Sequence, residues 1–192
     1  MEAKLYFHYG AMGSSKTAQL LITNFNYLER GLKTFLVAPK IDNRYTIGTI
    51  KSRIGIEAKA DLISDDKTDF SQLNDTLKEN EIDIVIVDEV QFLSSEQIYQ
   101  LSEIVDLLDI SVICFGLRVD FKNKLFNGSK ALMELADVIT EIKTMCHCGK
   151  KAICNMRISN GKAVKNGSQI QIGGNETYIA VCRKCYKEGR FK

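Results

Sequence analysis

A chain of 192 residues with 45% hydrophobic residues and a single proline has the apolar content to bury a core, which excludes wholesale disorder. No run approaches the roughly 18 uninterrupted apolar residues that a membrane helix needs. The N-terminal "MEAKLYFHYG" also lacks the apolar stretch of a secretory signal, so a cytoplasmic address is expected. The net charge of +2 is unevenly spread: residues 1–140 carry 15 Lys and Arg against 21 Asp and Glu, residues 141–192 carry 11 against 3. Aromatic residues are not interleaved with the basic ones as a base-stacking surface requires, so the tail reads as solvated charge and not as a nucleic-acid interface.

In chain order, "KLYFHYG" (4–10) reads as a strand running into "GAMGSSKT" (10–17). A phosphate-binding loop has Gly, four residues, Gly, Lys, then Ser or Thr. Gly10, Lys16 and Thr17 fit, and Ser15 stands where the second glycine belongs. Ala11, Met12, Gly13 and Ser14 complete the loop. The mechanism is physical: a strand delivers the chain to a tight turn whose amides point at phosphate, and a helix N-terminus adds its positive end. With Ser15 just before the helix, a right-handed conformation is expected for it. Lys16–Arg30 carries helical spacing, and "TFLVAP" (34–39) reads as the next strand. Residues 46–70 read as a mobile surface segment, which fits a lid over ATP.

Ser71–Glu79 is expected to be helical, followed by the strand "IDIVIVD" (82–88). Its aliphatic run suggests burial on both faces, as in a parallel sheet. Asp88 at its C-terminal end is placed as a Walker-B carboxylate for Mg²⁺ beside Thr17, and Glu89 as a general base. Gln91 and Phe92 follow, within reach of a ligand, although Phe92 fits a core role equally. Ser95–Leu108 has an apolar helical face, and "SVICFGL" (111–117) and "DVITEIKT" (137–144) read as strands. Alternating strands and helices predict an α/β fold with a parallel sheet. His8, Cys114 and Cys154 are expected to be packed in the interior.

After Thr144 the composition changes, and "AICNMRISNGKAV" (152–164) suggests a β-hairpin. A small second domain is therefore expected over 145–192, after a nucleotide-binding domain over 1–144. Cys146 and Cys148, with Cys182 and Cys185 farther on, form two tight pairs suited to a four-sulfur zinc site. The first gap is one residue shorter than usual, and His147 is an alternative ligand. A reactive dithiol and unmetallated thiols are the other readings.

The motifs "GAMGSSKT", "PKIDNRY", "SRIG", "DEVQFL", "FGLRVDF" and "IGGNETYIAVCRKCY", with the cysteine pairs, run in order along the chain. Together they resemble the zinc-containing thymidine kinases of the cytosolic and bacterial type, most closely the enterobacterial branch. The resemblance implies a RecA-like P-loop core with a small C-terminal zinc-binding lasso domain. It implies transfer of the γ-phosphate of ATP to the 5′-hydroxyl of thymidine, with Mg²⁺ and a structural Zn²⁺. Carried over by position, Gly10 to Thr17 hold the triphosphate, with Asp42, Arg44, Asp88 and Gln91 on the ATP side and Glu89 as proton acceptor. Phe121 stacks on the base, and Met12 and Leu117 line the niche for the thymine methyl. Gln169, Ile170, Gln171, Ile172 and Gly173 close over thymine, and Tyr178 contacts the nucleoside. A homotetramer inhibited by dTTP is also implied. Ser15 departs from the family pattern and leaves open a nucleotide-binding paralogue with impaired turnover. A zinc-ribbon ATPase stimulated by nucleic acid is the rival from another class.

Overall fold

The computed structural model describes residues 2–41, 46–174 and 177–192. Its first half runs β1 (Leu5–Tyr9), α1 (Lys16–Glu29), β2 (Thr34–Pro39), β3 (Thr49–Lys51), β4 (Glu57–Lys59), β5 (Leu62–Ser64) and α2 (Asn74–Glu79). Next come β6 (Ile84–Val87), α3 (Ser95–Leu108), β7 (Ser111–Gly116), α4 (Asn127–Leu135) and β8 (Val138–Glu141). The remainder comprises β9 (Thr144–Met145), β10 (Lys151–Ala152), β11 (Cys154–Ser159), β12 (Lys162–Val164), β13 (Tyr178–Val181) and α5 (Arg183–Glu188).

Six strands form one sheet in the order β5-β2-β6-β7-β1-β8, and every neighbouring pair is parallel. One strand, β7, separates the phosphate-loop strand β1 from β6, the strand that ends at Asp88; this is the RecA-like order. The two-residue alternation of a strand sorts side chains onto opposite faces. Val85, Val87, Val112 and Cys114 pack with Leu101, Ile104 and Leu132 of α3 and α4 on one side. Ile84, Ile86, Ile113 and Phe115 pack with Leu20 and Leu21 of α1 on the other. Both faces are covered, which is why β6 is uniformly apolar. Helix α3 begins where its sequence signals place it: Ser94 accepts from the Gln97 amide while the Gln97 side chain accepts from the Ser94 amide.

Several expectations are corrected. Residues 46–70 are not simply a surface segment: β3 and β4 pair as an antiparallel hairpin, and β5 joins the sheet edge beside β2. Ile50, 3% exposed, anchors that hairpin in the cluster under α1. Strands of three residues are too short to give a periodic signal. The stretch at 71–79 begins as a 3₁₀ turn over Phe70–Leu73 before α2. The expected strand at 137–144 divides into β8 and β9. Helix α4 has no counterpart among the sequence expectations. Its first turn holds Gly128 and Ser129 and its N-cap, Phe126, offers no side-chain cap, so the usual start signals are missing. Gly128 is there for close approach: a Cβ would meet the carbonyl oxygen of Val90 at 2.6 Å. Ser129 is buried and donates to the Leu117 carbonyl at 2.5 Å.

After β8 the chain forms two small antiparallel sheets, β10-β9 and β12-β11-β13. The predicted hairpin is present, turning at Asn160 (φ 48°) and Gly161 (φ 70°), both in the left-handed region that a two-residue type I′ turn demands. Cys146, Cys154, Met156, Val181, Cys182 and Cys185 form a third buried cluster there.

Candidate active site

The phosphate loop leaves β1 at Gly10, whose amide donates to the Gly116 carbonyl at 3.3 Å. A Cβ at Gly10 would lie 2.6 Å from the Ile142 carbonyl oxygen, so only glycine fits between the strand ends. Within the loop the Ser14 amide donates to the Ala11 carbonyl at 3.3 Å, and the buried Lys16 ammonium donates to the same carbonyl at 3.0 Å. Lys16 Nζ also stands 3.5 Å from the hydroxyl of buried Ser14.

Ser15 corrects the sequence expectation. It does not adopt a right-handed conformation: φ is 64° and ψ 25°, the left-handed region. Glycine enters that region freely, whereas a side chain costs about 1–2 kcal/mol there. The loop has kept the shape that the glycine position requires, and the serine bears the strain with its side chain exposed.

Asp88 and Glu89, at the C-terminal end of β6, are 6% and 8% exposed. Asp88 Oδ2 accepts from the Thr17 hydroxyl at 3.2 Å, and Oδ1 accepts from the Glu89 amide at 2.9 Å. Two hard oxygen donors at this spacing beside a phosphate loop suit Mg²⁺. Glu89 is itself in the left-handed region, with φ 46°. The Gln91 side chain fixes it: Nε2 donates to Glu89 Oε2 at 2.6 Å while Oε1 accepts from the Leu117 amide at 2.9 Å. Ser15 and Glu89 are two of the six non-glycine residues with positive φ among the described residues, and both are held in that conformation by the elements around them.

Two clefts open on this centre. The first contains Met12, Gly13, Ser15, Lys16 and Thr17 together with Lys51, Ser52, Arg53 and Ile54 from the β3–β4 hairpin. The second is lined by Gln91, Phe92, Leu117, Phe121 and Tyr178, by the segment Gln169, Ile170, Gln171, Ile172 and Gly173, and by Val119, Asp120, Phe126 and Asn155. Met12 and Glu89 line both. The structure thus brings the predicted phosphate loop, acidic pair and nucleoside residues to one place, and it puts Gln91, expected on the ATP side, in the lining of the second cleft. Asp42 and Arg44 lie outside the described residues.

The sequence reading missed Lys51 and Arg53, whose cationic side chains reach the phosphate cleft from an unrecognised hairpin. It missed Asn155, 2% exposed on β11, whose Oδ1 accepts from the Met12 amide at 2.8 Å and whose Nδ2 donates to the Val119 carbonyl at 2.8 Å. It also missed Arg157, buried two residues farther along that strand. The signal was visible but ambiguous: Asn155 and Arg157 alternate with apolar residues in "CNMRIS", a pattern that equally marks a solvated face.

The C-terminal thiols meet. The Sγ atoms of Cys146, Cys148, Cys182 and Cys185 all lie within 4.8 Å of one another, and Cys148 and Cys182 are 3.7 Å apart. Zinc with four sulfurs at about 2.3 Å in a tetrahedron has sulfur–sulfur edges near 3.8 Å, so the cluster fits a structural Zn²⁺. The Cys185 amide, 3.5 Å from Cys182 Sγ, pulls that thiol down to about 6. His147 is not among the four; its ring nitrogens lie 3.5 Å from Cys146 Sγ and 3.7 Å from Cys185 Sγ. Cys114 is fully buried, and burial pushes its thiol well up. His8 stacks on Phe115 with ring centroids 5.0 Å apart, and burial lowers its pKa.

The family model described as thymidine kinase matches residues 3–186. The chain is 47% identical over 187 residues to the thymidine kinase of Haemophilus influenzae, with 97% of each chain covered. It is 47% identical over 190 residues to that of Vibrio vulnificus, again covering 97% of both. The thymidine kinase of Legionella pneumophila is 48% identical over 189 residues, 97% of this chain and 90% of the relative. Among solved structures, a DNA replication initiation factor aligns with 72% of this chain and 40% of its own at 19% identity and a TM-score of 0.40, too slight a likeness to carry an argument.

Proposed function

The chain belongs to the thymidine kinase family, and from that premise we propose that it transfers the γ-phosphate of ATP to the 5′-hydroxyl of thymidine, giving dTMP. The supporting observation is that the phosphate cleft and the apolar cleft share Met12 and Glu89. A donor phosphate in the first and a nucleoside in the second put the carboxylate of Glu89 where the attacking hydroxyl must lose its proton.

In this reading the amides of Gly10–Thr17 cradle the triphosphate and Lys16 neutralises its terminal oxygens. Arg53, from the hairpin, adds charge at the cleft. Thr17 and Asp88 would hold Mg²⁺, which supplies charge neutralisation across the transferring phosphate. Glu89, oriented by Gln91, accepts the 5′-hydroxyl proton as the oxygen attacks. Phe121 offers a ring face for the pyrimidine, and Met12 and Leu117 an apolar niche for its methyl. The segment 169–173 and Tyr178 close the cleft and supply backbone groups for the pyrimidine edge. Zinc at the four cysteines roots β9, β13 and α5, the frame of that closing segment. Residues 1–144 serve as the nucleotide-binding domain and 145–192 as the lasso domain.

The adjoining clefts, which share Met12 and Glu89, also favour feedback by dTTP, a molecule with a base suited to the second and phosphates suited to the first. Ile22, Phe25 and Leu28 form an exposed apolar stripe on α1 and give a homotetramer a surface to bury. The test is ATP-dependent phosphorylation of thymidine, deoxyuridine and deoxycytidine, with Glu89→Gln as control. Thymidine turnover that depends on Glu89 supports the reading; ATP hydrolysis indifferent to every nucleoside overturns it.

A further inference from the structure

Arg157 is 3% exposed, and among the described residues its guanidinium forms no salt bridge with a carboxylate. A buried guanidinium is costly unless its charge and its donors are satisfied. Here rings and carbonyl oxygens do both. The guanidinium carbon lies 3.6 Å above the Phe121 ring centroid and 5.3 Å from that of Tyr178. Nη1 donates to the Ser168 carbonyl at 2.9 Å and Nη2 to the Gln169 carbonyl at 3.3 Å. Nε and Nη2 donate to the Tyr178 hydroxyl at 3.0 and 2.7 Å. The same hydroxyl donates onward to the Gln171 carbonyl at 2.9 Å. Every polar partner of this side chain therefore belongs to, or leads into, the segment that covers the second cleft.

We propose that Arg157 is a positioning residue for the nucleoside, a latch that pins segment 168–171 against Phe121 and so holds the cleft closed. The inference rests on the reading of that cleft as the thymidine site. A planar fork suits the task because it presents several donors in one plane while its face stacks on a ring, which an ammonium cannot do. The strand beneath is stiff: β11 pairs with β12 on one side and β13 on the other. Asp120 adds a second tie from below, its Oδ2 accepting from the Gln169 side-chain Nε2 at 3.0 Å. Arg157 touches neither the phosphate loop nor Glu89, so its loss should weaken nucleoside capture while leaving the donor site intact.

The experiment uses the full-length zinc-loaded protein and compares wild type with Arg157→Met, Arg157→Lys and Tyr178→Phe. Arg157→Met keeps length and apolar bulk; it is expected to raise the thymidine KM about tenfold or more, as the loss of several buried hydrogen bonds implies, with the ATP KM within about twofold. Arg157→Lys, which keeps a cation over the ring but loses the fork, and Tyr178→Phe, which removes two of its acceptor contacts, should fall between. Limited trypsin cleavage after exposed Lys165 gives a readout independent of turnover: thymidine should protect the wild type and fail to protect Arg157→Met. An unchanged thymidine KM and unchanged protection in Arg157→Met overturn the latch. If that variant does not fold, Arg157→Lys decides by the same two measurements. Absence of thymidine protection in the wild type indicts the cleft assignment instead, so the two failures are distinguishable.

Discussion

The two clefts are built in opposite ways. The phosphate cleft is centred on one contiguous loop, Gly10–Thr17, faced by the β3–β4 hairpin, and the loop keeps its shape even with a serine at a glycine position. The second cleft draws on Met12, on residues 89–92 behind β6, on 117–126 behind β7, on β11, on 169–173 and on Tyr178. No two of these stretches are required by local geometry to meet. A contiguous motif tolerates a strained side chain because its neighbours fix its conformation. A dispersed site depends on side chains such as Gln91, Asn155 and Arg157 that tie one segment to another.

Removing the group where the clefts meet should have the largest effect. Glu89→Gln is expected to lower kcat by about 10²–10⁴-fold, the range for a general base, with both substrate affinities little changed; comparable kcat would move the proton acceptor elsewhere. Next is the four-thiol cluster, which lies among the elements that frame the dispersed cleft. Cys182→Ser, or chelation, should release zinc and raise the thymidine KM about 10–100-fold, as losses around metal sites do, while binding of a fluorescent ATP analogue persists. Equal loss at both clefts would show that the thiols hold up the whole molecule and would break the contrast.

A smaller change tests the contiguous side. Ser15→Gly relieves left-handed strain of about 1 kcal/mol, which in a chain of this size raises Tm by about 2–4 °C, and turnover should hold or rise. A marked drop in activity with a raised Tm would reveal the Ser15 hydroxyl as a phosphate ligand. The smallest effect concerns His8 in β1. Its folded pKa lies below 6.5, so the unfolded chain binds more protons as pH falls through that value, and stability should decline on acidification. His8→Phe should flatten that part of the stability profile in pH-dependent denaturant melts, an outcome unrelated to either cleft's ligand.

Legibility follows the same division. Strand β2 and helix α3 appear over the residues that the sequence marks, because "TFLVAP" is a bounded apolar run and α3 carries both a periodic face and a capping box. The phosphate loop, the Asp88–Glu89 pair and the cysteine pairs were legible because their chemistry lies in short spacings. Phe121, Gln169–Gly173 and Tyr178 were reached through resemblance to a family, and nothing in their spacing places them around one cleft. The β3–β4 hairpin, with Lys51 and Arg53, escaped because three-residue strands carry no usable period. Helix α4 escaped because its first turn is chosen for contact with Val90 and Leu117 and not for helix propensity.

The sequence by itself determined the alternation of strands and helices, the loop that begins at Gly10, the acidic pair ending a buried strand, and four thiols in two pairs. Those follow from local forces: periodicity, backbone conformation, and ligand chemistry at short range. Tertiary structure alone decided that Ser15 would be left-handed, since the strand and helix on either side dictate the turn between them. It alone set Asn155 against the phosphate loop and Arg157 between two rings, because contacts made 11 to 143 residues apart depend on where the sheet delivers each segment.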